Sequence, residues 1–271
     1  HPGVDMLTFT GSTATGKAVL RSVSDSTIKP VLLECGGKSP EILFEDMASL
    51  GLPGVASQVA RGALWNQGQV CVARSRILVQ QGIYEPFLEA LVAAAATMVP
   101  GDPALPTTMF GPLASARQCS QVEDYIQSGV EDGARLLLDG RNPAGCEGGS
   151  FVGPTIFADV PSSARIAKEE IFGPVLCVMP FADEDEAMTL ANSTDYGLAA
   201  TIWTRDLVRA NRMAGHLQAG KVRIVASLAE VEGAGFCHSA EPCGQSGYGV
   251  EGGPNGLRSY MRQQSIEFCM G

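Results

Sequence analysis

The sequence predicts an α/β protein with largely parallel sheets, and two observations carry that prediction. Runs of β-branched and apolar residues alternate with segments of helical spacing down most of the chain. The connections are rich in turn formers, with 32 glycines and 16 prolines in 271 residues, as a chain that turns between each strand and helix requires. A chain of this length can bury a substantial core. Its balance of 45% apolar to 18% charged residues is that of a globular protein.

In chain order, "VDMLTFT" (4–10) reads as a buried strand and "GSTATGKAVLRSV" (11–23) as a turn opening into a helix. "KPVLLEC" (29–35) is a second strand and "EILF" (41–44) a third. "LPGVASQVARGALW" (52–65) has helical spacing, with Pro53 near its start, where a missing N–H is tolerated. "SRILVQ" (75–80) is strand-like, and "YEPFLEALVAAAATMV" (84–99) is a long apolar-faced helix, too short to span a bilayer. "SARQCSQVEDYIQSGVEDG" (115–133) is another helix, with Gly133 as its stop. The strands "PVLCVMPF" (174–181), "LAATIWT" (198–204) and "KVRIV" (221–225) are separated by the helices "DEDEAMTLANST" (183–194) and "DLVRANRMAGHLQ" (206–218). The run around Ser265 to Met270 alternates like a strand without a local partner, and is expected to pair outside its own domain. The first residue is His1 and a strand-like run begins almost at once, so the chain is expected to start in the middle of a larger unit.

Charge and cysteine usage exclude several function classes. A net charge of −10 with no basic run argues against nucleic acid and anionic membranes as partners. The eight cysteines, Cys35, Cys71, Cys119, Cys146, Cys177, Cys237, Cys243 and Cys269, form no CxxC pair and no compact framework, which suits a reducing, cytoplasmic compartment. His1, His216 and His238 are too scattered for a metal site on spacing, and no metal is expected.

Three stretches carry candidate chemistry. "LTFTGSTATGKA" fits the phosphate-loop spacing at Gly11, Gly16 and Lys17, but Ala18 stands where a metal-binding hydroxyl belongs. The same small residues at a helix N-terminus would also admit a pyrophosphate, or simply form a tight turn capped by Ser12 or Thr13. Glu34 ends an apolar strand before Gly36 and Gly37, where α/β proteins place ligand-contacting groups. Burial there would raise it towards a useful general base, the alternative being a strand-end carboxylate facing water. Cys71 follows the amides Asn66, Gln67 and Gln69 and the turn residue Gly68. Donors and positive potential would favour its thiolate, whereas free cysteine is commonly a small buried hydrophobe. A cysteine–histidine pairing finds no support in the contexts of His216 and His238.

The segments "FTGST" (9–13), "ECGGKSP" (34–40), "NQGQVC" (66–71), "KEEIFGPV" (168–175) and "NSTDYGLAA" (192–200) together, and in this order, resemble the NAD(P)⁺-dependent aldehyde dehydrogenases. The resemblance is to the C-terminal half or so of such an enzyme, and covers nearly the whole chain to about Gly220. It implies a three-layer parallel-sheet catalytic domain over 35–232. Residues 1–34 would be the C-terminal remnant of a Rossmann-like cofactor-binding domain. Residues 233–271 would return to that domain and end in an oligomerisation strand. It implies Cys71 as nucleophile, Glu34 as general base and Asn66 at the head of the amide run beside the nucleophile. Gly11, Ser12 and Gly16 would lie near the pyrophosphate of NAD or NADP, and Glu170 and Phe172 at the nicotinamide ribose and ring. Lys168 would be structural. The implied substrate is a small-molecule aldehyde, oxidised to the acid through a thiohemiacetal and a thioester on Cys71, in a homo-oligomer when full-length. Relatives that acylate CoA tend to lack the base, so Glu34 points to water as acceptor; the alternatives are CoA acylation and a non-catalytic interaction module.

Three departures qualify this. The family's upstream half is not in this chain, so little or no dehydrogenase activity is expected of this chain alone. The tail reads "VRIV" (222–225) and "PCGQSGYG" (242–249), altered at Arg223, Val225 and Cys243. Three extra residues fall in "MASLGLPG" (47–54), expected as a surface loop without effect on the site.

Overall fold

The computed structural model describes residues 1–229 and 239–270; Cys237, His238 and the expected boundary at 232/233 lie outside the described residues. β1 (Leu7–Thr10) passes into α1 (Thr13–Ser24), and β2 (Val31–Glu34) runs parallel to β1 with Thr10 opposite Glu34. β3 (Pro40–Leu43), α2 (Leu52–Ala63), β4 (Arg76–Gln80) and α3 (Tyr84–Ala96) follow, then α4 (Ala116–Glu131), β5 (Arg135–Leu138) and β6 (Thr155–Ala158). A single turn α5 (Arg165–Lys168) precedes β7 (Val175–Phe181), α6 (Glu184–Ala191), β8 (Tyr196–Gly197), β9 (Ala199–Trp203), α7 (Leu207–Ala214) and β10 (Lys221–Val225). The tail contributes β11 (Cys243–Gly244), β12 (Gly247–Tyr248) and α8 (Gly253–Arg258).

Seven strands form the main sheet in the order β10-β9-β3-β4-β7-β6-β5, parallel except for β5 against β6. Both faces are covered, which is why β4 and β7 read as continuous apolar runs rather than alternating ones. Ile42, Leu78, Cys177 and Ile202 face α4, α6 and α7, meeting Val122, Ile126, Ala187 and Met213. Leu43, Ile77, Val178 and Trp203 face α2 and α3, meeting Val55, Val59, Phe87 and Leu91. The architecture is therefore three-layered, as expected. β1, β2 and β12 form a separate small sheet in which the tail pairs antiparallel with β2, and β11 pairs with β8. No helix of the described residues is long and apolar enough to cross a membrane.

The strand expected over 4–10 is shorter and is not buried. Thr8 and Thr10 are exposed, Leu7 and Phe9 only half-buried, and Val4 is 44% exposed. β1 is the edge strand of the small sheet, so one side of it has no ladder partner among the described residues. The run from Ser265 to Met270 is likewise not a strand here. It is exposed throughout, and a strand exists only where a ladder partner does. α6 stops at Ala191 rather than at Thr194, because the buried Arg76 guanidinium takes the carbonyls of Leu190 and Ala191 at 2.5 and 2.7 Å. That places a cation on the negative end of the helix. Gly133 does stop α4, at φ +81°. β5 and β6, of four residues each, are too short for the sequence to mark them as strands.

Candidate active site

Glu34 is the last residue of β2, and its carbonyl accepts the Gly11 N–H at 3.0 Å. Only 8% of it is exposed. Burial raises its carboxyl from 4.5 to about 7, and the negative charge of Glu251 adds to the rise. A base of that strength exchanges protons near neutrality. The chain then turns through Gly36 and Gly37, and both must lack a side chain for reasons of space. A Cβ on Gly36 would occupy the position of the Glu170 carboxylate. One on Gly37 would lie 2.5 Å from the Cys71 carbonyl oxygen. The Gly37 N–H donates to Glu170 Oε1 at 3.1 Å. Residues from three separate stretches, Glu34, Cys71 and Glu170, therefore converge on one two-glycine turn.

Cys71 is carried by a loop that leaves α2 through left-handed backbone, at Asn66 (φ 51°), Gln67 (φ 56°) and Gly68 (φ 68°). Asparagine tolerates that region better than most residues. Gly68 is needed because a Cβ there would strike the Gly173 carbonyl, which locks this loop to the one after Glu170. The amides shape the loop. Asn66 Nδ2 donates to the Gln69 carbonyl at 2.9 Å, and Gln69 Oε1 accepts the Ala114 N–H at 2.8 Å. Asn66 itself is exposed. The expected shift towards thiolate is not found. Burial pushes the half-buried Cys71 thiol up, Glu170 pushes it further, and Glu34 adds to this, while the Val72 and Cys71 N–H groups pull it down. The charges around the sulfur are carboxylates, so the resting group is a thiol.

Glu170 is raised by burial and lowered by the Gly37 N–H and by Lys38. Phe172 is 39% exposed at φ 55°, and Gln118 Nε2 from α4 donates to the carbonyls of Ile171 and Phe172 at 3.1 and 2.9 Å. That clamp holds a backbone conformation unfavourable for a bulky residue. Lys168 donates its ammonium to the Ser193 carbonyl, a structural bond.

Across the turn from Glu34, Ser12 rather than Thr13 caps α1, its Oγ accepting the Thr15 N–H at 3.2 Å. Gly16 is buried against Leu33 and Cys35, which lets α1 lie close on β2. The first turn of α1 holds no acidic residue, and Ala14 and Thr15 are exposed. An anionic phosphate fits such a helix start, and the half-buried Glu170 carboxylate above Gly36 fits a polyol such as a ribose.

Two residues of the tail complete the site and are missed by the sequence reading. Ser246 is fully buried; its Oγ donates to the Gly36 carbonyl at 2.7 Å and accepts the Gly197 N–H at 3.0 Å. Its carbonyl accepts the Cys35 N–H at 2.8 Å. Glu251 supplies the second carboxylate felt by Glu34. Their only signal in the sequence is the irregular tail "PCGQSGYGVE", which contains no pattern that pairs it with residue 34.

Comparison with known proteins matches residues 1–266 to the aldehyde dehydrogenase family. The NADP/NAD-dependent aldehyde dehydrogenase PuuC of Escherichia coli (strain K12) is 46% identical over 222 residues, covering 82% of this chain and 44% of that protein. The crystal structure of a Mycobacterium tuberculosis aldehyde dehydrogenase complexed with NAD+ superposes with a TM-score of 0.92 at 36% identity, over 100% of this chain and 54% of that one. The aldehyde dehydrogenase KauB from Pseudomonas aeruginosa superposes with a TM-score of 0.89 at 39% identity, over 96% and 51% respectively. The chain thus spans about half the length of the relatives it matches.

Proposed function

Since the chain belongs to the aldehyde dehydrogenase family, we propose that its site oxidises an aldehyde to a carboxylic acid with NAD or NADP, Cys71 acting as nucleophile and Glu34 as general base. The observation that carries this is the convergence of Cys71, Glu34 and Glu170 on the turn at Gly36 and Gly37. Cys71 Sγ bonds to the carbonyl carbon, and its proton passes to the Glu34 carboxylate, which is partly ionised near neutrality. The Cys71 backbone N–H is a donor for the resulting oxyanion. When bound, the nicotinamide supplies the acceptor for the hydride that leaves that carbon. The product on Cys71 is a thioester; Glu34 releases the thiol's proton to solvent, then takes a proton from the water that attacks the thioester, and returns it to the Cys71 sulfur as the carboxylic acid leaves. A buried base of this strength supports water, rather than a thiol, as the acceptor.

Gly11 and Ser12 would lie at the pyrophosphate at the start of α1, with Gly16, whose N–H is bonded to the Ser12 carbonyl, letting that helix lie close on β2; Glu170 would receive the nicotinamide ribose and the exposed Phe172 ring the nicotinamide. Asn66 supports the nucleophile loop through its bond to Gln69. The pairing of β12 with β2 supports reading 233–271 as a segment returning to the unit formed by 1–34, with 35–232 as the catalytic domain. The exposed apolar side chains of Ile266, Phe268 and Met270 support contact between copies of the chain.

The test is to incubate the protein in its longest natural form with an aldehyde and NAD⁺, quench, and map acyl groups by peptide mass, this chain alone being expected to turn over little or nothing. Glu34→Gln is expected to slow turnover by about 10²–10⁴-fold and to accumulate the acyl group on Cys71. Cys71→Ala should remove both the adduct and NADH formation. An adduct on another residue, or normal turnover by Glu34→Gln, would sink the reading.

A further inference from the structure

Between α2 and the main sheet lies a charged pair that the proposed reaction leaves unused. Glu41 is the second residue of β3 and is fully buried. It points to the α2 and α3 side of the sheet, the side taken by Leu43 two residues on. Its Oε1 accepts the Trp203 Nε1–H from β9 at 2.7 Å. Its Oε2 has no hydrogen-bond donor among the described residues and lies 3.6 Å from Arg74 Nε. A carboxylate buried in this way is costly unless a cation compensates it. Arg74 is that cation. Its side chain is 19% exposed, and it enters no other ion pair among the described residues. The helix makes room for it, since a Cβ on Gly62 would occupy the position of the Arg74 guanidinium. Glycine weakens a helix, so its presence in the last turn of α2 is explained by what lies over it.

The two partners sit on the two segments that build the site. Arg74 follows Cys71 by three residues, in the stretch that leads from the nucleophile loop into β4. Glu41 follows Glu34 by seven, in the strand into which the two-glycine turn runs. Closer to the site the same segments touch at Gly37, against the Cys71 carbonyl. We propose that Arg74 is a positioning residue, its pair with Glu41 tying the thiol-bearing segment to the base-bearing one and so holding Cys71 in register with Glu34. Trp203 pins the carboxylate end of this tie to β9, and Gly62 seats its guanidinium end on α2. Electrostatics agree with the geometry. Burial raises Glu41; of the groups that lower it, Arg74 comes first, the Trp203 N–H second and Arg223 of β10 last. The value of the tie for catalysis rests on the reading of Cys71 as nucleophile and Glu34 as base, but the tie itself does not.

Cys71 reports on the tie without cofactor or aldehyde, because burial, Glu170 and Glu34 hold its thiol up while the loop lies against their turn. The experiment follows alkylation of Cys71 by iodoacetamide against pH in the whole chain. Peptide mass spectrometry separates it from the other cysteines, and the fully buried Cys177 is the control for general loosening. Arg74→Met frees the loop and also orphans the Glu41 carboxylate. Arg74→Met combined with Glu41→Gln frees the loop but buries no charge and keeps an acceptor for Trp203, so its stability in denaturant should return towards wild type. Both variants should be alkylated at Cys71 about tenfold faster near neutral pH, the thiol losing its proton at lower pH, with Cys177 unchanged. A merely structural pair would lose this effect as stability returns. A double-variant profile that overlays wild type, or a rise at Cys177 equal to that at Cys71, would overturn the proposal. If Arg74→Met does not fold, the double variant alone decides. Acyl mapping separates the two readings. A shifted Cys71 profile with the acyl group on another residue keeps the tie and drops the reaction; acylation of Cys71 with an unshifted profile keeps the reaction and drops the tie.

Discussion

Glu34 holds its proton to about pH 7 in the folded chain, against 4.5 for an ordinary glutamate, because folding removes it from water beside Glu251. A carboxyl raised in this way contributes stability below its unfolded value, and that contribution is lost as pH rises through the folded one. Thermal unfolding should therefore occur at falling temperature from about pH 5 to about pH 8, and Glu34→Gln should flatten that slope and raise the melting temperature at the alkaline end. A slope unchanged by the substitution would mean that Glu34 is not desolvated. Glu34 and Cys71 are legible in the sequence because each stands in a short motif, "ECGG" and "NQGQVC". The protonation state of Cys71 is not, since the carboxylates that hold its thiol up come from residues 34 and 170. Ser246 and Glu251 are hidden for the same reason: what they touch lies about two hundred residues away, and only the return of the chain brings it near.

At the scale of elements, the small residues around the site are fixed by what lies against them. Gly37→Ala should destabilise the protein by about 1–3 kcal/mol in a denaturant titration, because the Cys71 carbonyl cannot move without shifting its loop. Ser246→Ala should cost about 2 kcal/mol, leaving the buried Gly197 N–H and Gly36 carbonyl unsatisfied. By contrast Ser12→Ala, which loses one exposed cap, should cost about 1 kcal/mol. If the three proved equal, the buried knot at Ser246 would be no more than another surface bond. β4 and β7 are evident from composition because both their faces are buried. β5 and β6 escape notice because "RLLL" and "TIFA" are four residues each, too short for a period to register.

Across the whole molecule, order should follow coverage. The amides of β4 and β7, in the middle of the main sheet, are expected to exchange with deuterium most slowly; those of β1 and of residues 261–270 should exchange first. Protection of β1 equal to that of β4 would show that the small sheet is covered in solution by something beyond these residues. The alternation of strand and helix patterns is enough to foresee the three layers. It cannot foresee that β2 joins a different sheet from β3, because the choice is made in the glycine turn between them. That turn has a consequence for how such a site can change over generations. A side chain at position 36 would strike the Glu170 carboxylate and one at position 37 the carbonyl of the Cys71 loop, so single replacements in that turn have no gradual route. Variation must either leave the turn alone or alter several distant positions in concert, and drift in reactivity is therefore pushed outward to the tail and the loops around it.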